Sequence, residues 1–397
     1  MFRGFRRRRM LAAVVPVLAA AVVVGTAIGG STAAVAGGTI NVGNVSAVTG
    51  PIALPDSSEG AAAFFKRLDK TGGINGTRVN FIVTDDKTDP ATSATDARQL
   101  IQQNHVVAMV GSLSLVDCAV NEQLYELNNV RGIIVGSIPQ CFTSKNIAAA
   151  NTGPEIDEIN QLVWAYKSLH AKAICLFLTN SPLINPEHPV ELAAFKQITG
   201  QSPAVSDDTL TPNSNYATFM AEAQQHSCDA ILTDGNSAQA APMVQAERNA
   251  GLNIPMVFAG AEYINSLPAA IGKGATPVYT VSEMIPFTEK NAQLTQMYAD
   301  MKAAGVAVNS LSEYGWECAN LFTQIAKTIK GPITLASVNK ALLATTNLNT
   351  NGFTGTPFAF GPGKAHNPNR GGKMMEIKNG KWVEVSGWIN LKPGITG

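Results

Sequence analysis

The 397-residue sequence lacks the short motifs by which the common enzyme classes are recognised. It has no Gly-x-Ser-x-Gly elbow, no His-Glu-x-x-His, no Cys-x-x-Cys, no Walker loop and no Gly-x-Gly-x-x-Gly fingerprint. The five histidines are scattered, and we interpret them as surface or helix-capping residues: His105, His170, His188, His226 and His366. No catalytic residue is therefore predicted. Because a triad can assemble in space alone, a secreted hydrolase stays an alternative.

The sequence also has little charge and few aromatic residues, at 15% and 7% of the chain. Five of the 29 lysines and arginines lie within the first nine residues. Without them, 24 basic residues face 29 acidic ones, which gives the rest of the chain a net charge of about −5. A mildly acidic domain without a basic patch argues against nucleic acid and anionic membranes as partners. No metal or cofactor is predicted.

A long apolar run occurs at the amino terminus and nowhere else in the sequence. Basic residues (Arg3 and Arg6 to Arg9) precede the apolar stretch 11–28, and Ala34-Val35-Ala36 follows it. These three parts predict an export signal over residues 1–36, with cleavage before Gly37 and an extracytoplasmic mature protein. A membrane anchor is the alternative, because the run could nearly span a bilayer. No cysteine stands at the cleavage point for a lipid anchor, and both the general and the twin-arginine export routes stay open.

Short apolar strands alternate with amphipathic helices from Thr39 onward, which is typical of a parallel sheet covered on both faces. Predicted strands cover 39–45, 79–84, 106–110 and 132–135, and after Pro154 the pattern restarts with strands at 173–178, 230–233, 255–258 and 278–282. About 360 residues suffice for two cores. The sequence therefore predicts an α/β fold of two Rossmann-like lobes. Lys378-Asn379-Gly380 predicts a β-hairpin near the end, because Asn-Gly favours a type I′ turn.

Several short motifs occur in a characteristic order and spacing. They are Thr49-Gly50-Pro51, Gly72-Gly73-Ile74-Asn75-Gly76, Asp85-Asp86 with Asp89-Pro90, Val110-Gly111, Gly235, Ala250-Gly251-Leu252 and Gly260-Ala261-Glu262. With these motifs the mature chain resembles the periplasmic-binding-protein type I superfamily, specifically the leucine/isoleucine/valine-binding branch of substrate-binding proteins for ABC importers. The resemblance covers essentially all of the mature chain. It implies parallel sheets in two lobes, joined by a three-crossing hinge around a ligand cleft.

The resemblance also implies lobe boundaries. Residues 37–150 with about 283–350 would form lobe 1, and residues 151–282 with about 351–397 would form lobe 2 with the carboxy-terminal hairpin. The hinge crossings are expected at 151–153, 279–282 and 351–357.

In the family, first-lobe hydroxyl and backbone N–H groups hold the α-carboxylate of an amino-acid ligand. The family's serine position falls on Leu115, with Ser114 beside it and Ser112 also near. The second carboxylate strip falls about Pro139, Gln140 and Cys141, where the proline removes one N–H donor. Asn236 stands at a second-lobe position that is aromatic in the family. These departures weaken the expectation of an ordinary branched-chain amino acid. They favour a small polar ligand such as an amino acid, an amide or a related metabolite.

Glu262 falls where the family places the carboxylate that accepts the ligand's ammonium group. A buried carboxylate in a cleft needs a positive or donor partner, which a ligand can supply. The alternative is an acid that caps a helix over 264–271. We predict ligand contact.

Export permits disulfides, and five cysteines leave at least one unpaired. Cys118 and Cys141 each follow a strand of the first lobe, so a bridge between them is one hypothesis and two reduced thiols the other. Cys175, Cys228 and Cys318 are interpreted as core residues.

These observations predict an exported, monomeric protein that is not an enzyme. It would capture a small polar solute between its lobes and deliver it to the permease of an ABC importer. A sensor module that reports ligand occupancy to a membrane receptor would use the same cleft and is the alternative.

Overall fold

A computed structural model describes residues 38–235, 237–361, 363 and 368–392. The predicted export signal and Asn236 lie outside these residues. The strands are β1 (Thr39–Ser46), β2 (Arg78–Asp85), β3 (Met109–Val110), β4 (Gly132–Ile134), β5 (Ile147–Ala149), β6 (Ile174–Thr179), β7 (Val205–Leu210), β8 (Ala230–Thr233), β9 (Met256–Phe258), β10 (Val278–Ser282), β11 (Gly371–Lys378), β12 (Lys381–Glu384) and β13 (Ile389–Asn390).

The α-helices alternate with these strands along most of the chain. They are α1 (Asp56–Lys70), α2 (Pro90–Arg98), α3 (Asp117–Leu127), α4 (Gln140–Thr143), α5 (Pro154–Ser168), α6 (His188–Thr199), α7 (Tyr216–Gln225), α8 (Ser237–Ala250), α9 (Leu267–Ala270), α10 (Ala292–Ala304), α11 (Ser310–Ala326) and α12 (Leu335–Ala344). A π-helical turn (Gln99–Gln103) continues α2, and a 3-10 turn (Gly260–Glu262) follows β9. No helix within the described ranges is both long enough and apolar enough to span a membrane.

The strands form two sheets, one in each of two lobes. The first is wholly parallel, in the order β2-β1-β3-β4-β5. The second has the order β12-β11-β10-β9-β8-β6-β7, in which β6 to β10 are parallel and β11 and β12 antiparallel. The fold class predicted from the sequence is thus confirmed.

Each sheet has a point where the chain winds first to one side and then to the other. In the first sheet this switch lies between β1 and β3, and in the second it lies between β6 and β8. Beyond the carboxyl ends of such strands the connecting loops diverge and leave a crevice, in which α/β proteins commonly bind ligands. We call the residues there the first and second switch edges.

Apolar side chains pack on both faces of both sheets. In the first lobe, residues from β1, β3, α1 and α11 share one cluster with Phe353, Phe358 and Phe360. In the second, α5 and α6 cover one face while α7 and α8 cover the other. The chain therefore returns to the first lobe after β10 and to the second sheet with β11. The lobe boundaries in residue numbers stay a prediction.

Local signals account for several elements. Asp89 caps α2 by accepting a hydrogen bond from the Thr92 N–H at 2.8 Å, and Pro90 occupies the first helical position, as predicted. Asn379 and Gly380 both have positive φ, at 52° and 73°, in the turn between β11 and β12. The predicted hairpin is confirmed.

Three short elements escaped prediction: α4, β5 and β7. Strand β7 has the sequence Val-Ser-Asp-Asp-Thr-Leu, which carries too few apolar residues for a buried strand. It forms because it lies at the edge of its sheet, where it pairs only with β6.

Interpreting Cys175 and Cys228 simply as core residues was incomplete, because the two form a disulfide with Cα atoms 5.8 Å apart. Both are buried. Their strands are neighbours in the sheet, with Cys175 paired to Ile231 and Cys228 just before β8. This proximity depends on strand order, which the sequence does not give.

Candidate ligand-binding site

The first switch edge is built from polar groups that satisfy one another. Ser112 is buried, and its hydroxyl accepts a hydrogen bond from the Val45 N–H at 3.1 Å. The Ser114 hydroxyl donates to the buried carboxylate of Asp86. It also accepts from two backbone N–H groups at the start of α3, both at 3.0 Å. Both predicted ligand serines thus have partners within the lobe, and their contact with a ligand stays a prediction.

The other predicted first-lobe positions lie close by. Leu115 and Gln140 are half-buried, and the Gln140 side-chain oxygen is buried without a hydrogen bond. Cys118 in α3 and Cys141 in α4 form a disulfide, with Cα atoms 5.2 Å apart. This bridge ties together the two helices that follow β3 and β4. The first switch edge is consequently fixed covalently as well as by hydrogen bonds.

Glu262 differs from these residues because its charge has no partner. It belongs to the 3-10 turn after β9, its exposed fraction is 0%, and neither carboxylate oxygen has a hydrogen bond in the described part of the chain. Burial raises its pKa to about 8. The nearby helix α9 begins only at Leu267, after Ser266, so Glu262 does not cap it. The helix-capping alternative therefore has no support.

The turn that carries Glu262 adjoins the first lobe. Ile264 forms an isolated β-bridge with Asn309, and the Asn265 side chain donates to the Val308 carbonyl at 3.1 Å. A pocket of about 280 Å³ opens beside this contact, lined by Asp56, Ala261, Ile264, Asn265, Ser266, Ala307, Val308, Asn309 and Leu311. Glu262 itself does not line the pocket, and its carboxylate is buried.

The second switch edge gathers further acidic residues. They are Glu158 in α5, Glu187 and Glu191 at the start of α6, and Asp234 after β8. His188 lies among them, with its Nε2 atom 3.8 Å from the Asp234 carboxylate. Interpreting this histidine as a surface or capping residue was wrong, because its exposed fraction is only 5%. We call these five residues the acid group.

A third set of polar residues lies where the chain passes between lobes. The Glu283 carboxylate accepts hydrogen bonds from the Thr152 N–H at 2.7 Å, the Gly153 N–H at 3.0 Å and the Thr152 hydroxyl. The Tyr314 hydroxyl also donates to it, at 3.0 Å. The Asn369 side chain donates to the Glu283 backbone carbonyl at 2.8 Å. Glu283 therefore links three separate chain segments and α11.

Sequence reasoning missed Glu283 and the acid group. The acid group comes from positions 158 to 234, so that only the fold brings its members together. A weak signal was available, since Glu187 and Asp234 each follow a predicted strand of the second lobe. Within the described ranges, no three His, Cys, Asp or Glu residues are arranged to hold a metal ion.

Comparisons with known proteins agree with this architecture. Residues 39–381 match the family model described as periplasmic binding protein. No curated protein matches the sequence. The chain belongs to the periplasmic binding protein family.

Solved structures from several organisms share the fold. One is the branched-chain amino acid transporter substrate-binding protein LivJ from Streptococcus pneumoniae in complex with isoleucine, with 18% identity, a TM-score of 0.73, and coverage of 89% of this chain and 100% of that one. Another is an ABC transporter substrate-binding protein from Aeropyrum pernix, with 17% identity, a TM-score of 0.78, and coverage of 90% and 97%. A third is a solute-binding protein from R. palustris in complex with 4-hydroxybenzoate, with 16% identity, a TM-score of 0.70, and coverage of 89% and 98%.

Proposed function

We propose that the protein is exported, that it captures a small polar solute with an amine or amide group between its lobes, and that it delivers this solute to an ABC importer. Membership of the periplasmic binding protein family supports the solute-binding role and an extracytoplasmic location. The residues predicted as an export signal, 1–36, support the route out of the cytoplasm. The permease partner and a monomeric state belong to the proposal.

Glu262 carries the choice of ligand chemistry. Its carboxylate is buried without a hydrogen bond, and an unpaired buried charge is costly unless a partner arrives. A ligand N–H donor at this position would compensate the cost and favour the ionised carboxylate. Solved relatives bind molecules as different as isoleucine and 4-hydroxybenzoate, so the fold alone does not fix the ligand.

Ligand-dependent closure follows from the position of Glu262. Because the turn at Gly260–Glu262 contacts α11 of the first lobe, a solute bound there would touch both lobes only when they meet. Binding would then shift an equilibrium between open and closed forms toward the closed one. A permease that recognises the closed form would receive only loaded protein.

A calorimetric comparison of Glu262→Gln with wild type tests the proposal. A thermal-shift panel of amino acids, their amides, amines and small carboxylates first finds a ligand, since one at 100 times its Kd adds about 2.7 kcal/mol of stability. We expect Glu262→Gln to weaken binding of that ligand at least tenfold. Glu59→Gln, which neutralises an exposed glutamate on α1, serves as the control. Equal affinity in the wild type and Glu262→Gln would refute the role of Glu262.

A further inference from the structure

The acid group occupies the second switch edge, where the fold itself leaves a crevice. Strands β6 and β8 are paired from Ile174–Ala230 to Phe177–Thr233, while β7 and β9 lie on opposite sides of this pair. Asp234 directly follows β8, and the connection after β6 leads to the other members of the group. Leu183 in that connection packs against an apolar cluster of the first lobe. The connection that ends at Glu187 therefore reaches the first lobe.

The acid group is buried and lacks compensation. Exposed fractions are 3% for Glu158, 1% for Glu187, 5% for His188 and 0% for Glu191. Neither oxygen of the three glutamates and neither nitrogen of His188 makes a protein hydrogen bond of ordinary geometry in the described ranges. Asp234 is satisfied on one side only, because its Oδ1 atom accepts from the Thr179 N–H at 2.6 Å while Oδ2 has no hydrogen bond.

Among the described residues, the ion pair that involves the acid group is His188 with Asp234, and no lysine or arginine pairs with its members. The acid group therefore contains four carboxyl groups and one imidazole. Buried acids without lysine or arginine partners are uncommon in a folded protein unless something else enters the site.

Two structural explanations for the acid group do not hold. Acids near helix starts often cap them, but neither α5 nor α6 has a side-chain capping hydrogen bond. Metal coordination is the second explanation, but these residues are not arranged as metal ligands. The group offers several buried oxygen acceptors and an imidazole that make no hydrogen bond of ordinary geometry in the described ranges.

We propose that the acid group receives a second positively charged group of the solute, an ammonium or a guanidinium. The inference rests on the proposed function, in which Glu262 receives the first donor. Asp234 and Glu262 follow neighbouring strands, paired at Thr233–Phe258, and so lie along one edge of the sheet. A solute with cationic groups at both ends spans that edge. The ligand class is therefore diamines and basic amino acids.

Protonation explains how the empty site tolerates these acids. Burial raises the pKa of Glu158 well above the usual range, and the Asp234 carboxyl raises it further. Burial also raises the pKa of Glu191 well above the usual range, and the Glu158 carboxyl raises it further. Burial, followed by the Glu155 and Asp234 carboxyls, raises the pKa of Glu187 to about 9. At neutral pH the empty site holds protons, and an arriving cation displaces at least one of them. Binding should therefore release protons and tighten as the pH rises.

Matched ligand pairs test the second cation. Arginine and citrulline have the same skeleton but differ in the charge of the side-chain terminus, and 1,4-diaminobutane differs from butylamine by one amine. We expect wild-type protein to bind the better of the two dications at least tenfold more tightly than its matched partner. Equal affinity within both pairs would overturn the inference and leave the proposed function intact.

The variant Glu191→Gln tests whether the acid group is the site, and calorimetry in two buffers tests whether binding releases protons. Glu191→Gln should reduce the arginine-to-citrulline or diamine-to-amine affinity ratio at least fivefold, while the exposed control Glu59→Gln keeps the wild-type ratio. Calorimetry at pH 7 in phosphate and in HEPES should give different binding enthalpies, because protons leave with binding. An unchanged ratio in Glu191→Gln, or identical enthalpies, would overturn the inference. If none of the four probes binds and Glu262→Gln changes no affinity for any solute, the proposed function fails as well.

Discussion

The two switch edges have the same topology but differ in whether their buried polar groups are hydrogen-bonded. At the first edge, Ser112 and Ser114 are hydrogen-bonded to backbone and to Asp86, and a disulfide joins the helices that follow. At the second, Glu158 and Glu191 are equally buried but have no hydrogen bond of ordinary geometry. Since buried polar groups are normally satisfied, the second edge departs from the rule. The serine hydroxyls of the first edge are satisfied within the protein, whereas the polar groups of the second edge are the ones that we propose a ligand satisfies.

Glu283 shows that this chain can satisfy a buried carboxylate where structure requires it. Its carboxylate accepts from Thr152, Gly153 and Tyr314, and its charge is one cause of the raised pKa of the neighbouring Asp157. Glu262 lies 21 positions earlier in the sequence and has none of these bonds. Lack of hydrogen bonds is therefore not common to every buried carboxylate of the described residues.

Removal of the disulfides should have the largest effect on stability. The chain-entropy model gives about 3 kcal/mol for Cys118–Cys141, whose sequence separation is 23, and about 4 kcal/mol for Cys175–Cys228, whose separation is 53. Double alanine variants, compared by urea unfolding, measure both losses. Because Cys175–Cys228 lies near the amino ends of its strands, only the Cys118–Cys141 pair should also alter ligand affinity.

A thiol count gives an independent check on the bridges. The denatured, unreduced protein should present one free thiol, from Cys318. A count of five would remove the covalent difference between the edges, and a count of three would leave one bridge to be located by peptide mapping.

Glu262 should contribute to the pH dependence of stability. The pKa of Glu262 is about 8 when folded and about 4.3 when unfolded, so that between these values the folded state holds a proton that the unfolded state lacks. Stability must then fall as pH rises, by about 1.4 kcal/mol per pH unit for this group. Urea unfolding at pH 5.5 and 7.5 should therefore show a shallower fall in Glu262→Gln than in wild type. Parallel pH profiles would contradict the assigned burial of this carboxyl.

Replacing one buried acid at each edge by its amide compares the stability that the two acids contribute. Asp86→Asn replaces an acceptor of hydrogen bonds from Thr88 and Ser114, so one donor is left unpaired and about 1–3 kcal/mol of stability is lost. Glu191→Gln removes a carboxyl that makes no hydrogen bond of ordinary geometry, so it should cost less stability at pH 7 than Asp86→Asn. Unfolding curves of the two variants test this. Equal losses would mean that both edges are structural.

The sequence predicted those parts of the molecule that local signals specify. Asp89-Pro90 favours the start of a helix and Asn379-Gly380 favours a hairpin turn. Both preferences depend on the adjacent backbone and not on the rest of the fold. Strand β7 was missed since its polar residues are acceptable only at a sheet edge. The Cys175–Cys228 bridge and the acid group were missed because both arise from strand order.

The site was predicted unevenly for a similar reason. Glu262 was predicted from a matched position in a family motif, and its burial without a hydrogen bond is compatible with that role, which stays a prediction. Ser112 and Ser114 were predicted because they lie near the family's serine position at Leu115, and their hydroxyls have partners within the lobe. A motif fixes where a residue lies along the chain, whereas its availability to a ligand depends on neighbours that the motif does not contain.

The smallest expected effect concerns the contact between lobes beside Glu262. The Asn265 side chain is exposed and donates one hydrogen bond to the Val308 carbonyl of the first lobe. An exposed hydrogen bond contributes less than about 1 kcal/mol, so Asn265→Ala should leave the unfolding midpoint unchanged. Because the bond exists only when the lobes meet, its loss should favour the open form and weaken ligand binding about twofold to threefold. Calorimetry with the ligand from the thermal-shift panel measures this change. Tighter binding in Asn265→Ala would contradict this prediction, because it would show that the contact between the lobes opposes ligand binding. Closure at this contact would then not be needed for ligand binding at the second switch edge.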